Sequence, residues 1–243
     1  MRMYHNKILI ICTTFNFPKE LAKSLVSIMG VLNSRNDVVC TIIDNLSKDE
    51  NVHQLLDNTI HPKLNIIKKD INYGKAPTTN AFIKETLSHQ NCPRVLISMD
   101  PDVEFQPDDF NKLIEALDTI PNLGMLGMRF IDNGHNPERS VWWPAKNIKA
   151  NNKSFKVRCP VFANVAGPLF GIQGYVLSHY LNFKLFPKTK NEENFKKGYI
   201  KRAGSDDAFL YDHLKKHNLI QGYLEGTQIA HLKSPPQTEN YIK

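Results

Sequence analysis

Cysteine is scarce in this chain: four in 243 residues, Cys12, Cys40, Cys92 and Cys159, with no C-x-x-C pair among them. That scatter argues against a disulfide scaffold and against a zinc site of ligand-spaced thiols. Cys12 and Cys40 sit inside apolar runs and read as buried thiols, which fits a reducing compartment. Long apolar runs are missing as well. Ile8–Cys12 is short, and no segment approaches the ~20 residues needed to span a bilayer. The opening residues, Met1–Lys7, carry no secretory pattern. A cytoplasmic protein without a transmembrane segment is the expectation, with peripheral membrane contact left open. There is no internal repeat, no zinc-finger spacing and no aromatic pattern of the kind that single-stranded RNA modules carry. Tryptophan occurs twice, as the neighbours Trp142 and Trp143.

What is present is ordinary in bulk and informative in pattern. Apolar residues make up 41% and charged residues 23%, the mixture of a folded globular chain. The charge is basic, 31 Lys+Arg against 24 Asp+Glu for a net +7. A basic surface favours anionic partners such as nucleotides, nucleic acid or anionic lipid, and does not choose among them.

Strands and helices alternate through the first half. Ile8–Thr13, Val38–Ile43, Leu64–Lys68 and Val95–Met99 are apolar or β-branched runs that read as buried strands. Helices are expected from Pro18, over about 52–58, over Thr78–Leu87, and from Pro107 with Phe110, Leu113, Ile114 and Leu117 as its apolar stripe. Alternation of this kind implies an α/β fold: a single domain with a mostly parallel central sheet flanked by helices. The second half is less regular. Strands are expected near 124–130, 161–172 and 226–231, and a helix over Ser205–His217. Residues 132–154 read as an excursion or hairpin, and 187–201 as a loop.

Ligands of such sheets sit beyond the carboxyl ends of the strands. Three ends carry polar residues: Thr13-Thr14-Phe15-Asn16, Asp44-Asn45 and Asp100-Pro101-Asp102. All three should meet on one rim. Two carboxylates at i and i+2 after a buried strand suit one hard cation, Mn²⁺ or Mg²⁺, shared with substrate phosphates. The alternative for this segment is an Asp-Pro turn with capping acids. Asp206-Asp207 offers a second acidic pair before a helical pattern, where acids also stabilise a first helical turn. Trp142 and Trp143 offer aromatic faces for a sugar ring or a base, or for packing a long loop. Lys75, Arg129, Arg139, Lys201 and Arg202 are candidate phosphate contacts, Lys75 first among them.

Taken together, these segments resemble a GT-A glycosyltransferase, closest to the inverting family 2. Ile8–Asn16 resembles the first strand and nucleotide loop. Ile42–Asp49 resembles the V-V-D-D-G-S-T-D segment, which puts Asp44 at the uracil ring. Asn72-Tyr73-Gly74-Lys75 with Thr79-Asn80-Ala81 resembles the N-x-G segment beside the donor, and Val95–Asp102 the metal-binding D-x-D strand. Val165–Gly171 resembles the small-residue strand lining the acceptor cleft. Gly204–Leu210 resembles G-x-E-D-x-x-L, whose second acid is the general base. The resemblance therefore implies a metal-dependent glycosyltransferase using a nucleoside diphosphate sugar, UDP-sugar favoured, with Mn²⁺ or Mg²⁺. Asp207 is the implied base, with Asp206 beside it. Donor contacts fall to Thr13, Thr14, Phe15, Asn16, Asp44, Asn45, Gly74, Lys75 and Asp100, and acceptor contacts to Trp142, Trp143 and Gly167. The metal falls to Asp100, Asp102 and His231. Residues 1–118 form the donor half and 119–243 the acceptor and catalytic half. The Q-x-x-R-W motif of processive synthases is absent, which implies single transfer.

Other readings compete. A sugar-1-phosphate nucleotidyltransferase would share the fold, but its first loop is glycine-rich, and Thr13–Lys19 has no glycine. The basic charge keeps two further alternatives open: transfer to modified DNA or RNA, and nucleic-acid binding without catalysis. The acceptor, whether glycan, small molecule or nucleic acid, is not legible.

Overall fold

A computed structural model describes residues 3–132, 143–160, 168–187 and 206–232 of the chain. The first half follows the expected alternation: β1 (Ile8–Thr14), α1 (Pro18–Ser34), β2 (Val38–Asp44), α2 (Glu50–Asn58), β3 (Leu64–Lys68), α3 (Lys75–Thr86), β4 (Val95–Met99), β5 (Val103–Phe105) and α4 (Pro107–Thr119). The second half adds β6 (Leu123–Asp132), β7 (Ala145–Ala150), β8 (Lys153–Arg158), β9 (Leu169–Gln173), α5 (Gly174–His179), α6 (Asp206–Lys216) and β10 (Ile220–His231).

The strands make one sheet in the order β3-β2-β1-β4-β9-β6-β10-β8-β7, with β5 pairing to β10 beside this path. β3, β2, β1 and β4 run parallel. β9 is antiparallel to both β4 and β6, and β7–β8 is an antiparallel hairpin. The sheet is therefore mixed: parallel through the first half and interleaved with antiparallel strands in the second.

Side-chain alternation along the buried strands divides the core into two layers. From β1, Ile8, Ile10 and Cys12 face the layer closed by α1, α2 and α4. Leu9 and Ile11 face the opposite layer, closed by α3, α5 and α6. Ile8, Leu9 and Ile10 are each 0% exposed, and each such side chain contributes about 1.5–3 kcal/mol by leaving water. Two-sided burial is the reason these strands read as continuous apolar runs.

Several boundaries differ from the sequence expectation. The third helix begins at Lys75 rather than Thr78, because Gly74 takes φ 82°, ψ 168° and turns the chain into it. A glycine is the residue that reaches this conformation without a Cβ clash. The last strand is longer, Ile220–His231 rather than 226–231, with a register shift between Leu224 and Gln228 against β6. The three-residue β5 and the six-residue α5 were not expected at all. Both are too short to show a period in sequence. All of the loop expected over 187–201 except Pro187, and the segment 161–167, lie outside the described residues. No helix among the described residues is long and apolar enough to cross a membrane.

The chain steps from β1 outward to β2 and β3, then returns to lay β4 on the other side of β1. In open sheets such a reversal is where ligands sit, beyond the carboxyl ends of the strands.

Candidate functional site

Each of those three strand ends carries polar side chains. At the end of β1, Asn16 and Phe17 both take left-handed φ, 61° and 59°. Asparagine tolerates that region and phenylalanine does not, so the turn stores strain of order 1 kcal/mol. Neighbouring groups hold it: the Asn16 N–H donates to Ser47 Oγ at 2.7 Å, and Asn16 Oδ1 accepts from the Lys48 N–H at 2.8 Å. The first and second loops of the fold are thus tied together. Thr13 Oγ1 meets Thr79 Oγ1 of α3 at 3.2 Å. Thr14 is 1% exposed, and its Oγ1 has no hydrogen-bond partner among the described residues.

At the end of β2, Asp44 is buried, with Oδ1 accepting from the Ser47 N–H at 3.0 Å. Its other oxygen stands 3.8 Å from His53 Nδ1 on α2. Asp44 therefore braces the turn that carries Ser47 while facing a half-buried imidazole. Asn45, also buried, sets its amide 2.6 Å from Asn72 Oδ1 and 2.9 Å from Thr78 Oγ1, tying β2 to the start of α3. Asn80, one turn further along α3, both donates to and accepts from the Phe186 main chain, at 2.9 and 3.0 Å.

At the end of β4 the Asp100-Pro101-Asp102 turn is fixed from three directions. The Asp100 N–H donates to Pro168 O at 2.7 Å. From α1, the fully buried Ser24 lies 2.8 Å from Pro101 O and 2.7 Å from Val103 O, and accepts the Val103 N–H at 2.9 Å. Ser27, one turn on, accepts the Phe105 N–H at 3.0 Å. From the far side, β5 pairs with the end of β10, placing His231 opposite Val103, and the Leu232 N–H donates to Asp102 O at 2.7 Å.

This arrangement brings His231 Nε2 to 3.4 Å from Asp102 Oδ2. Asp100, Asp102 and His231 present ligand atoms that all lie within 4.8 Å of one another. Their side chains are 27%, 13% and 28% exposed, so a ligand reaches them from solvent. Two carboxylate oxygens and one imidazole nitrogen suit a divalent ion such as Mn²⁺ or Mg²⁺, with positions left for substrate oxygens. Lys75 completes the group, its Nζ 2.5 Å from Asp100 Oδ1. The charges act through the strand beneath them. Burial pushes the Cys12 thiol up to about 12, with Asp100 adding to the rise and Lys75 opposing it.

The structure thus brings Thr13, Asn16, Asp44, Asn45, Gly74, Lys75, Asp100 and Asp102 to the ends of neighbouring strands, with His231 beside the two acids. Ser24, Ser27 and His53 were not anticipated. The two serines share the inner stripe of α1 with Leu21, Leu25 and Ile28, and small hydroxyls on an otherwise apolar stripe are a sign that buried backbone needs partners. Trp143 is placed differently from an open sugar platform: it is 9% exposed and stacks on Tyr223 at 5.3 Å between ring centroids. Its indole face is used in packing. Asp206 and Asp207 open α6, but their side chains lie outside the described residues, as do Trp142, Arg139, Gly167, Lys201 and Arg202.

Known structures share this architecture. A mannosyltransferase, PcManGT from Pyrobaculum calidifontis in complex with GDP-Man and Mn²⁺, superposes with a TM-score of 0.59 at 14% identity. The match covers 98% of this chain and 59% of that one. TarS from S. aureus superposes with a TM-score of 0.63 at 13% identity, covering 94% of this chain and 37% of that one. Identities this low establish the fold, and the chain spans well under two thirds of either protein's length. No curated protein matches the sequence. The family described as "Glycosyl transferase family 2" matches residues 9–177, more than half of the chain. The chain belongs to glycosyl transferase family 2.

Proposed function

We propose that this chain transfers a single sugar from a nucleoside diphosphate sugar, a UDP-sugar in our reading, to an acceptor hydroxyl with the help of a divalent metal ion. One observation carries the reading. β5/β10 pairing delivers His231 to the Asp100–Asp102 turn, so that three ligand atoms from distant parts of the chain lie within 4.8 Å of one another on the sheet's open rim.

Asp100, Asp102 and His231 would hold Mn²⁺ or Mg²⁺, which when bound would draw electron density from the leaving diphosphate. Thr13, Thr14, Phe15 and Asn16 from the first loop, Asp44 and Asn45 from the second, and Gly74 and Lys75 at the start of α3 surround the nucleotide. The buried Thr14 hydroxyl, without a partner among the described residues, supports a ligand beside β1. Asp207, with Asp206 beside it at the start of α6, takes the proton of the acceptor hydroxyl as the new bond to the sugar's C1 forms and the bond to the diphosphate breaks. Trp142 and Gly167 serve the acceptor, and Trp143 stays packed on Tyr223. In this reading residues 1–118 bind the donor, and 119–243 bind the acceptor and supply the base.

The neighbour solved with GDP-Man and Mn²⁺ supports a nucleotide sugar with a divalent ion as the class. Uracil follows only from the position of Asp44, so the decisive test leaves the base open. Calorimetric titration of UDP, GDP, dTDP and CDP with Mn²⁺, and again with EDTA, should show tight binding of one diphosphate that EDTA abolishes. Absence of binding by all four under both conditions would sink the donor-site reading.

A further inference from the structure

Lys75 sits on the same carboxylate that the metal reading requires. Its Nζ is 2.5 Å from Asp100 Oδ1, and Asp100 belongs to the group whose ligand atoms lie within 4.8 Å of one another. The chain therefore neutralises part of its own acid pair. Lys75 is held in place for this. It is the first residue of α3, set by the Gly74 turn at φ 82°. Its ammonium lies 6.0 Å from the centre of the Phe186 ring, and Asn80 pins the Phe186 main chain in both directions.

A divalent ion entering by itself would meet a like charge across the shared carboxylate, and like charges at such range repel. A diphosphate changes the balance, because it brings several anionic oxygens to which an ammonium can turn. We propose that Lys75 couples the two ligands: it competes with a metal ion for Asp100 when no diphosphate is bound, and turns to the diphosphate when one arrives. Metal and donor then bind cooperatively, and the coupling acts equally in both directions. This role rests on the metal-and-donor reading above, and it goes beyond a phosphate contact because it fixes the sign of an effect on the metal alone.

The test is titration of Mn²⁺ into the protein, with free Mn²⁺ followed by electron paramagnetic resonance, first alone and then with inorganic pyrophosphate. Four proteins are compared: wild type, Lys75→Met, Lys75→Arg and Lys68→Met. Lys68 is paired with Asp57 at 2.6 Å, so Lys68→Met removes the same charge away from Asp100. Without pyrophosphate, Lys75→Met should bind Mn²⁺ about fivefold more tightly, the scale of a half-exposed ion pair. Lys75→Arg and Lys68→Met should stay near the wild-type value. With pyrophosphate, the gain in Mn²⁺ affinity should be smaller in Lys75→Met than in wild type. Equal or weaker Mn²⁺ binding by Lys75→Met alone would overturn the proposal, as would equal tightening in Lys68→Met. If no variant binds Mn²⁺ with or without pyrophosphate, the metal reading falls and takes the role of Lys75 with it. Pyrophosphate carries no base, so the outcome is independent of the UDP assignment.

Discussion

At the amino-terminal rim of the sheet, Asp37 is enclosed by Arg35 at 2.7 Å and Arg94 at 3.1 Å, and Arg94 reaches on to Asp118 at 2.8 Å. At the carboxyl-terminal rim, Asp100 and Asp102 are turned toward one another with Lys75 and His231 beside them. Both rims hold two aspartates with basic side chains beside them, yet the forces that place them differ. On the first rim the side chains hold each other. Burial by itself would raise the Asp37 carboxyl, but hydrogen bonds from Arg35 and Arg94 outweigh it and hold it below the usual carboxylate range. On the second rim the backbone does the holding, through Ser24, Pro168 and the β5/β10 pairing. Acids fixed by main-chain contacts hold their positions whatever their side-chain oxygens meet, here Lys75 at Asp100 and His231 at Asp102. A rim whose acids are held by their ion pairs is structural, and one whose acids are gathered by the backbone, with one lysine offsetting part of their charge, is a candidate for chemistry.

Mutations should separate the rims. The largest effect is expected at the proposed base: Asp207→Asn should lower kcat by about 10²–10⁴ with little change in donor affinity, because a base acts in the transition state. Single-turnover kinetics with a calorimetric donor Kd checks this, and equal loss of both would make Asp207 a helix cap. Next is Asp102→Asn, which should weaken Mn²⁺ binding by more than about 100-fold, since even partners one shell out from a metal cost 10–100-fold. Its thermal unfolding midpoint should stay near wild type. Ser24→Ala should come third. It leaves the Val103 N–H without its partner, at about 1–3 kcal/mol of stability, and loosens the turn that carries Asp102. Chemical denaturation and Mn²⁺ titration read the two effects separately.

Smallest is Arg94→Ala on the opposite rim, worth less than about 1 kcal/mol because the pair is part-exposed, with turnover unchanged. Its pH dependence has a definite sign. The folded Asp37 carboxyl titrates below its unfolded value, so the network stabilises above the unfolded pKa of about 4. That contribution is lost as pH falls through the folded value. The gap between wild type and Arg94→Ala should therefore close on acidification, as measured by urea unfolding at stepped pH.

The same contrast explains what could be read from sequence. β3 and β4 fall where their apolar runs begin and end, and the polar residues at the ends of β1, β2 and β4 do meet at one rim, because two-sided burial writes itself into composition. The Asp100–Asp102 turn was legible because it follows such a strand. Less visible was what locks it. Ser24 and Ser27 look like polar interruptions of a helix stripe until the backbone of residues 101–105 is seen lying against them. β5 is three residues long and has no period to detect, yet its pairing is what positions His231. Trp143 illustrates the reverse case: an aromatic residue in a polar stretch suggested a binding face, whereas stacking on Tyr223 uses that face inside the molecule. Long-range pairing and backbone demand for partners leave little trace in local pattern.

In the proposed function one divalent ion sits among Asp100, Asp102 and His231 and joins the chain to a nucleoside diphosphate. Anomalous diffraction from crystals grown with Mn²⁺ and UDP tests it most directly. The account predicts a single strong manganese peak within about 2.0–2.3 Å of an Asp102 oxygen and of His231 nitrogen, with diphosphate oxygens completing its shell. A peak elsewhere on the chain, or nucleotide bound at this rim with no manganese beside it, would contradict the account.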